Sequence, residues 1–392
     1  MNGSVGPLVR QNHSGILVFE KCSHLFSPPT RLAMTNATIP EALLPSAQLP
    51  VGGSLAERWE AFRQENPKSY LRDTAQALGV SELALLPLGD SELTRLRGDD
   101  WPSLIAAFER FGSVRTMTRN EFAVIEKTGA FSHFESFGVM AQTLGEIDLR
   151  IFLREWASAW AVQSVSGGET RRSVQVFDAS GDSIHKLFVD DAHDETFAAF
   201  VREFASDDQS APEFGPRPVQ VERPDAELDV AGFLAGWDAM TDTHQFHGLL
   251  RTFQVTRTQA WRLAGPERAR RVPAVALQQL LEGAAASGER IMIFVGNRGI
   301  MQIHVGAIHR VVHAAGWLNV MDPGFNLHAR DTAFAESWVV TKQSADGPIR
   351  SLEIFDAQGG TIVQVFGKRL EGQGSTPPGF GHLLDGVLAA AT

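Results

Sequence analysis

The segments RSVQVFDASGDSIHKLF (Arg172 to Phe188) and RSLEIFDAQGGTIVQVF (Arg350 to Phe366) are one pattern written twice, separated by a constant 178 positions without a gap. At the same offset upstream, Trp160 meets Trp338, Val162 meets Val340 and Leu149 meets Leu327, so the match runs over roughly forty residues. An ungapped register of that length, with matched tryptophans, points to duplication. In SVQVF and SLEIF apolar and polar residues alternate, and DASGD or DAQGG leads into a second alternating run; this predicts a β-hairpin with a Gly-containing turn in each copy. Helical text precedes each set of strands: LAERWEAFRQENP and YLRDTAQALGV in the first copy, DVAGFLAGWDAMT and FHGLLRTF in the second. Between the copies, residues 206–226 are polar, Pro-rich and aperiodic, which predicts a linker. The fold class is therefore α+β, a tandem structural repeat in which each half packs N-terminal helices on a large antiparallel sheet. The first repeat spans 51–205 and the second 227–392, after a loosely ordered extension over 1–50 that is rich in Pro, Ser and Gly and contains Met34 as a candidate natural start.

Composition narrows the function. A chain of 392 residues that is 43% hydrophobic can bury two domain cores. Its net charge of -11 argues against a nucleic-acid partner, because neutralising phosphates needs a dense positive surface. A single cysteine, Cys22, leaves no internal disulfide and too few thiolates for an all-cysteine zinc or iron–sulfur site. No apolar run reaches the length of about 18 residues that spans a bilayer, and no basic-then-apolar export signal opens the chain. The expectation is a cytoplasmic protein that is not membrane-embedded.

The stretch MTDTHQFHGLLRTF places His244 and His247 three residues apart. Phe246, Leu249, Leu250 and Phe253 follow helical spacing, and Thr241, Asp242 or Thr243 is positioned to cap a helix whose first turn holds His244. Both histidines then share a face. Two polar positions on an amphipathic helix would satisfy this pattern. A zinc site is a weaker reading, since no cysteine is near and the HExxH spacing is absent. A third reading needs only one histidine: a neutral imidazole as axial ligand of a haem iron. Taken from their strands alone, Arg150, Lys342 and Arg369 read as solvated or ion-paired residues, Trp160 and Trp338 as core, and GNRG at Gly296 as a tight turn.

DTHQFHGLLRTFQVTRTQAWRLA, IFVGNRGIMQIHVGAIHRV, GWLNVMDPGFNLHARDTAFAESWVVTK, SLEIFDAQGGTIVQVFGKR, TRNEFAVIEKTG and GEIDLRIFLREWASAWAV together resemble the hemin-degrading and haem-trafficking proteins of Gram-negative bacteria, the HemS/ChuS type, over residues of about 55 to 375. The resemblance implies a duplicated α+β fold that holds haem b (iron protoporphyrin IX), as substrate or cargo, in a cleft between helix and sheet that lies between the halves. It implies His244 of DTHQF as the axial ligand of the iron, with His247 an alternative ligand or a supporting group, and Arg150 of DLRIF as the distal, catalytic arginine. Phe152 and Phe294 would touch the porphyrin, and Arg257, Lys342, Gln364 and Arg369 would meet the propionates and the pocket edge. The chain departs from the family pattern at Ile125, where a histidine is common, and at the pocket residue Phe366, where a tyrosine is common.

Two functions fit that resemblance. One is oxidative haem degradation that releases iron, with electrons from an external reductase or reductant and Arg150 stabilising negative charge on the distal side. The other is a haem chaperone or store that takes haem from an importer on the cytoplasmic side and passes it to a separate haem oxygenase.

Overall fold

The computed structural model describes residues 53–67, 69–166, 168–217, 221–369 and 374–391. The expected extension over 1–50, with Cys22 and Met34, lies outside the described residues. The first half runs α1 (Leu55–Glu65), α2 (Leu71–Leu78), α3 (Glu82–Leu85), β1 (Ser91–Leu96), α4 (Trp101–Ala106), β2 (Ser113–Arg119), β3 (Ala123–Ala130), β4 (Glu135–Phe137), β5 (Met140–Thr143), β6 (Asp148–Phe152), β7 (Ser158–Ser166), β8 (Glu169–Phe177), β9 (Ser183–Val189) and α5 (Asp194–Phe204). The second runs α6 (Val230–Asp238), α7 (Gln245–Phe253), α8 (Arg257–Leu263), β10 (Ala269–Val272), α9 (Ala276–Ser287), β11 (Ile291–Gly296), β12 (Ile300–Gly306), β13 (Val311–Ala314), β14 (Trp317–Asp322), β15 (Phe325–Arg330), β16 (Glu336–Lys342), β17 (Ile349–Phe355), β18 (Thr361–Gly367) and α10 (Pro378–Ala389). The order of helices and strands is the same in both. Local chemistry sets the helix ends. Ser54 and Glu57 form a capping box on α1, and Thr256 and Gln259 form one on α8. α2 and α7 both stop at a left-handed residue, Gly79 and Gln254. Residues 206–217 and 221–224, in the expected linker, carry no helix or strand.

Duplication predicted the matched order, but not how the strands are shared. Two nine-stranded sheets form, in the orders β1-β7-β8-β9-β2-β3-β15-β14-β13 and β10-β16-β17-β18-β11-β12-β6-β5-β4. Each half therefore sends three strands into the sheet of the other. β6 pairs with β12, and β15 pairs with β3, all antiparallel. The crossing point is held by one residue from each copy. The Asn120 side-chain amide donates to the carbonyls of Gly296, Thr361 and Ile362, while its oxygen accepts from the backbone of Phe122 and Ala123. Asn297 of GNRG returns the arrangement, donating to the carbonyls of Arg119 and Ile184 and accepting from Gly299 and Ile300.

Alternation along the strands gives each sheet two faces. Ile291, Ile293, Val295, Val363 and Val365 point into a core shared with α9 and α10, and Val174, Val176, Leu187 and Val189 into one shared with α4 and α5. Trp160 and Trp338 face the opposite way, packed under the N-terminal helices of their own halves with relative exposures of 5% and 8%, as core residues. Ile125 is fully buried in the α9–α10 core.

Candidate functional site

The outer face of the second sheet is ordered in rows by its cross-strand register. Trp338, Glu353, Gln364, Phe294, Ile303 and Asp148 line up across β16, β17, β18, β11, β12 and β6. Beside them run Val340, Ser351, Phe366, Met292 and Val305. On the other flank stand Gly296, Met301, Arg150 and Gln142. Helices α6, α7 and α8 cover the β16–β17 end through Trp237, Phe246 and Trp261, which pack on Trp338, Val340 and Phe355. Farther along, Phe366, Met292, Phe294, Met301, Val305 and Phe152 are only partly buried. The rings of Phe294 and Phe366 meet edge to face at 5.2 Å. The result is an apolar, strand-built floor with a helix start at one end and Arg150 at the other. Arg150 belongs to the first half, so the strand exchange is what puts it on this floor.

The helix start differs from the expected cap. α7 begins at Gln245 with His244 itself in the N-cap position and no side-chain cap bond. Asp242 is turned instead onto His244: its Oδ1 accepts from the His244 backbone N–H at 2.8 Å and lies 2.7 Å from the ring Nδ1. Gln245 Oε1 accepts from the backbone of Thr241 and Asp242, and the carbonyl of Thr241 accepts from Ala345 at 2.8 Å, which ties this turn to the loop after β16. With Nδ1–H given to Asp242, the lone pair of a neutral ring lies on Nε2, the state in which histidine ligates a metal. Burial works against ionisation of Asp242. The His244 contacts and the Arg369 cation outweigh it and hold the carboxyl below its usual range. His247 does not share these surroundings. It is exposed, and partial burial with the cations Arg251 and Arg257 lowers its pKa.

Arg150 is held in place. Its Nη1 meets Asp148 Oδ1 at 2.5 Å and donates to the carbonyl of Leu149 at 2.9 Å, with its side chain 18% exposed. The other expected pocket residues gather around an acid that the motifs had not singled out. Glu353 is fully buried and accepts from Lys342 at 2.6 Å, Ser351 at 3.0 Å, Gln364 at 2.8 Å and Arg257 at 3.0 Å. Burial alone would raise its pKa, but Lys342 and Arg257 bring the carboxyl down to about 2. Lys342 is itself buried and lies over the rings of Phe246 and Trp261, 5.1 Å from each centroid. Arg369 donates to the carbonyl of Gly374 and stands within electrostatic range of Asp242. Phe152 sits opposite Met140 on β5. Asp242, Asp148 and Glu353 were missed as functional groups, yet each leaves a mark in the sequence: an Asp two residues before His244, an Asp two before Arg150, and a charge inside the apolar strand SLEIF. Two grooves, of about 380 and 470 Å³, lie away from this floor beside Arg268 and Arg350 and beside Arg172.

The chain matches the haemin-degrading HemS/ChuX domain twice, at residues 79–204 and 254–385. It is 38% identical over 328 residues to the hemin transport protein HemS of Yersinia enterocolitica, covering 82% of this chain and 93% of HemS. Among solved structures, holo-PhuS, a heme-binding protein of Pseudomonas aeruginosa, superposes with a TM-score of 0.79 at 37% identity, covering 85% of this chain and 98% of PhuS. ChuS, described as an E. coli heme oxygenase, superposes with a TM-score of 0.75 at 32% identity, covering 85% of this chain and 99% of ChuS. With both halves matched by the family model and most of the chain matched in sequence and in fold, the chain belongs to the HemS/ChuS family of haemin-utilisation proteins.

Proposed function

We propose that this protein binds haem in the cytoplasm on the outer face of the second sheet, through His244 Nε2, and degrades it oxidatively to release iron. The observation that carries this reading is the Asp242–His244 pair, which fixes one imidazole tautomer at the end of an apolar floor. Phe294, Phe366 and Phe152, with Met292, Met301 and Val305, offer the macrocycle an apolar surface. Arg257 and Arg369 offer cations to its carboxylates. Arg150, restrained by Asp148 and a backbone carbonyl, keeps a positive charge fixed where negative charge develops, which is the condition for electrostatic catalysis. Electrons come from an external reductase or reductant, and a membrane importer supplies the haem.

A carrier function, in which haem passes to a separate oxygenase, rests on a different observation. His247 lies one turn from His244 on the exposed side of α7, where a second imidazole is within reach of a ligand leaving the first. One experiment tests the binding site and separates the two functions. Ferric haem is titrated anaerobically into the wild type, His244→Ala and His247→Ala; oxygen, a reductant and catalase are then added. Loss of the wild-type Soret band in His244→Ala alone supports the ligand assignment, and its loss in His247→Ala alone overturns it. A linear tetrapyrrole and free iron formed in the presence of catalase support degradation, whereas haem that stays intact favours the carrier.

A further inference from the structure

Resting on the haem reading above, we propose that Glu353 decides which cations a ligand's carboxylates meet: it engages Lys342 and Gln364 itself and leaves Arg257 as the cation of this cluster that is open to a ligand. The geometry is specific. Glu353 Oε1 takes Lys342 and Ser351, and Oε2 takes Arg257 and Gln364, so both oxygens are doubly engaged. The Lys342 side chain is 5% exposed, with Phe246, Trp261 and Phe366 around its ammonium. A ligand could reach it only by displacing those rings, and drawing the ammonium outward would weaken its pair with a carboxylate that is itself fully buried, which is strongly unfavourable.

Arg257 stands differently. One nitrogen is on Glu353, but the side chain is 26% exposed and a guanidinium carries five donors. Two cations face one carboxylate here, so the cluster retains a single positive charge that reaches solvent through Arg257. One further carboxylate complements it. A porphyrin bearing propionates supplies such a group, and a porphyrin whose acids are esterified does not. The arrangement is confined to the second half. The repeat places Gln175 opposite Glu353, and the position opposite Arg257, the first helical residue after the matched caps Ser81 and Thr256, is Glu82.

The test compares binding of ferric haem and of haem dimethyl ester, both measured for each variant, with thermal melting as the check on folding. The wild type should prefer the diacid. Arg257→Met should lower that preference about tenfold, as expected for loss of a charge-assisted hydrogen bond. Glu353→Gln should raise it by about tenfold, because both cations are released; glutamine already fills the equivalent place as Gln175. The double variant Lys342→Met/Glu353→Gln removes both buried charges together and leaves that of Arg257 in place, so it should keep at least the wild-type preference. If the double variant loses the preference as fully as Arg257→Met while still folded, Lys342 meets the ligand directly and the proposal falls. If the wild type binds neither porphyrin, the haem reading itself fails and takes this proposal with it.

Discussion

The two halves share one order of helices and strands and fill matched positions with opposite chemistry. Counting back seven residues from the left-handed caps Gly79 and Gln254 puts Arg72 opposite His247. The strand register puts Lys186 opposite Gln364, Arg115 opposite Met292, Met117 opposite Phe294 and His328 opposite Arg150. On the first sheet these residues close the outer face with charged and polar groups. Arg72 pairs with Glu82 at 3.3 Å and Glu121 at 2.5 Å, and Lys186 reaches Glu82 at 3.1 Å. Arg115 lies 3.9 Å over the ring of Phe188 and pairs with Glu126. His328 is buried on Asn319, and burial lowers its pKa to about 4, so it stays neutral. On the second sheet the matched places on β11 carry Met292 and Phe294. Duplication supplied two equivalent surfaces, and the side chains at a few matched places make one charged and the other apolar.

That contrast is sharpened most by breaking the charged face. Glu82→Gln strands Lys186 in a buried site, while Arg72 keeps Glu121, and should cost about 3 kcal/mol of stability in urea at pH 7. Haem binding in the second half should change less than about twofold while the protein stays folded. Burial opposes ionisation of Glu82, but Lys186, Arg119 and Arg72 hold its carboxyl at about 2, against 4.5 ordinarily. A carboxyl depressed on folding stabilises above its unfolded pKa, so the gap between wild type and variant should close as pH falls from about 4.5 to about 2. Haem affinity that falls in step with the charge change would show that the two faces are not independent.

A second contrast sets Arg150 against its counterpart His328. Arg150→Ala should slow ring opening by on the order of a hundred- to a thousandfold in single turnover, with haem affinity little changed, because a fixed cation acts mainly on developing charge. His328→Ala should leave the rate of chemistry as it is. Equal slowing in both variants would mean that Arg150 acts through sheet stability and not at the iron.

The smallest effect concerns Asp242, beside the proposed iron ligand His244, whose counterpart in the first half is Ser69. Asp242→Asn keeps the shape of the turn and removes the charge behind the imidazole. Haem affinity should fall by about tenfold, the lower range for losing the group that orients a metal-binding histidine, and the reduction potential should rise. An unchanged potential would reduce Asp242 to a turn residue.

Much of this was legible in local chemistry. The hairpin text of both copies forms β8–β9 and β17–β18, and the four helical stretches form α1, α2, α6 and α7. The start of α7 was not legible in detail, because Asp242 can cap a helix or bond a neighbouring ring with equal local ease, and here it takes the ring. Lys342 read as a strand-end cation, since its partner Glu353 is remote in sequence and adjacent only once β16 and β17 pair. Asn297 read as part of a turn, which it is, but its amide spans to the other sheet.

The duplication and the helical and hairpin segments could be read from the chain itself, because alternation, capping and repeated motifs act over a few residues, whereas His244 and Arg150 came together as a candidate pair only through the family resemblance. Only the tertiary structure decided that Arg150 shares a sheet with α7. β6 could in principle extend the first sheet or the second, since the antiparallel ladder consists of backbone hydrogen bonds that any strand can supply. The choice lies in long-range packing: the residues of β6 that face inward, Leu149 and Ile151, are buried with Ile300 of β12 in the first half's core, while Arg150 between them is left on the outer face opposite Met301.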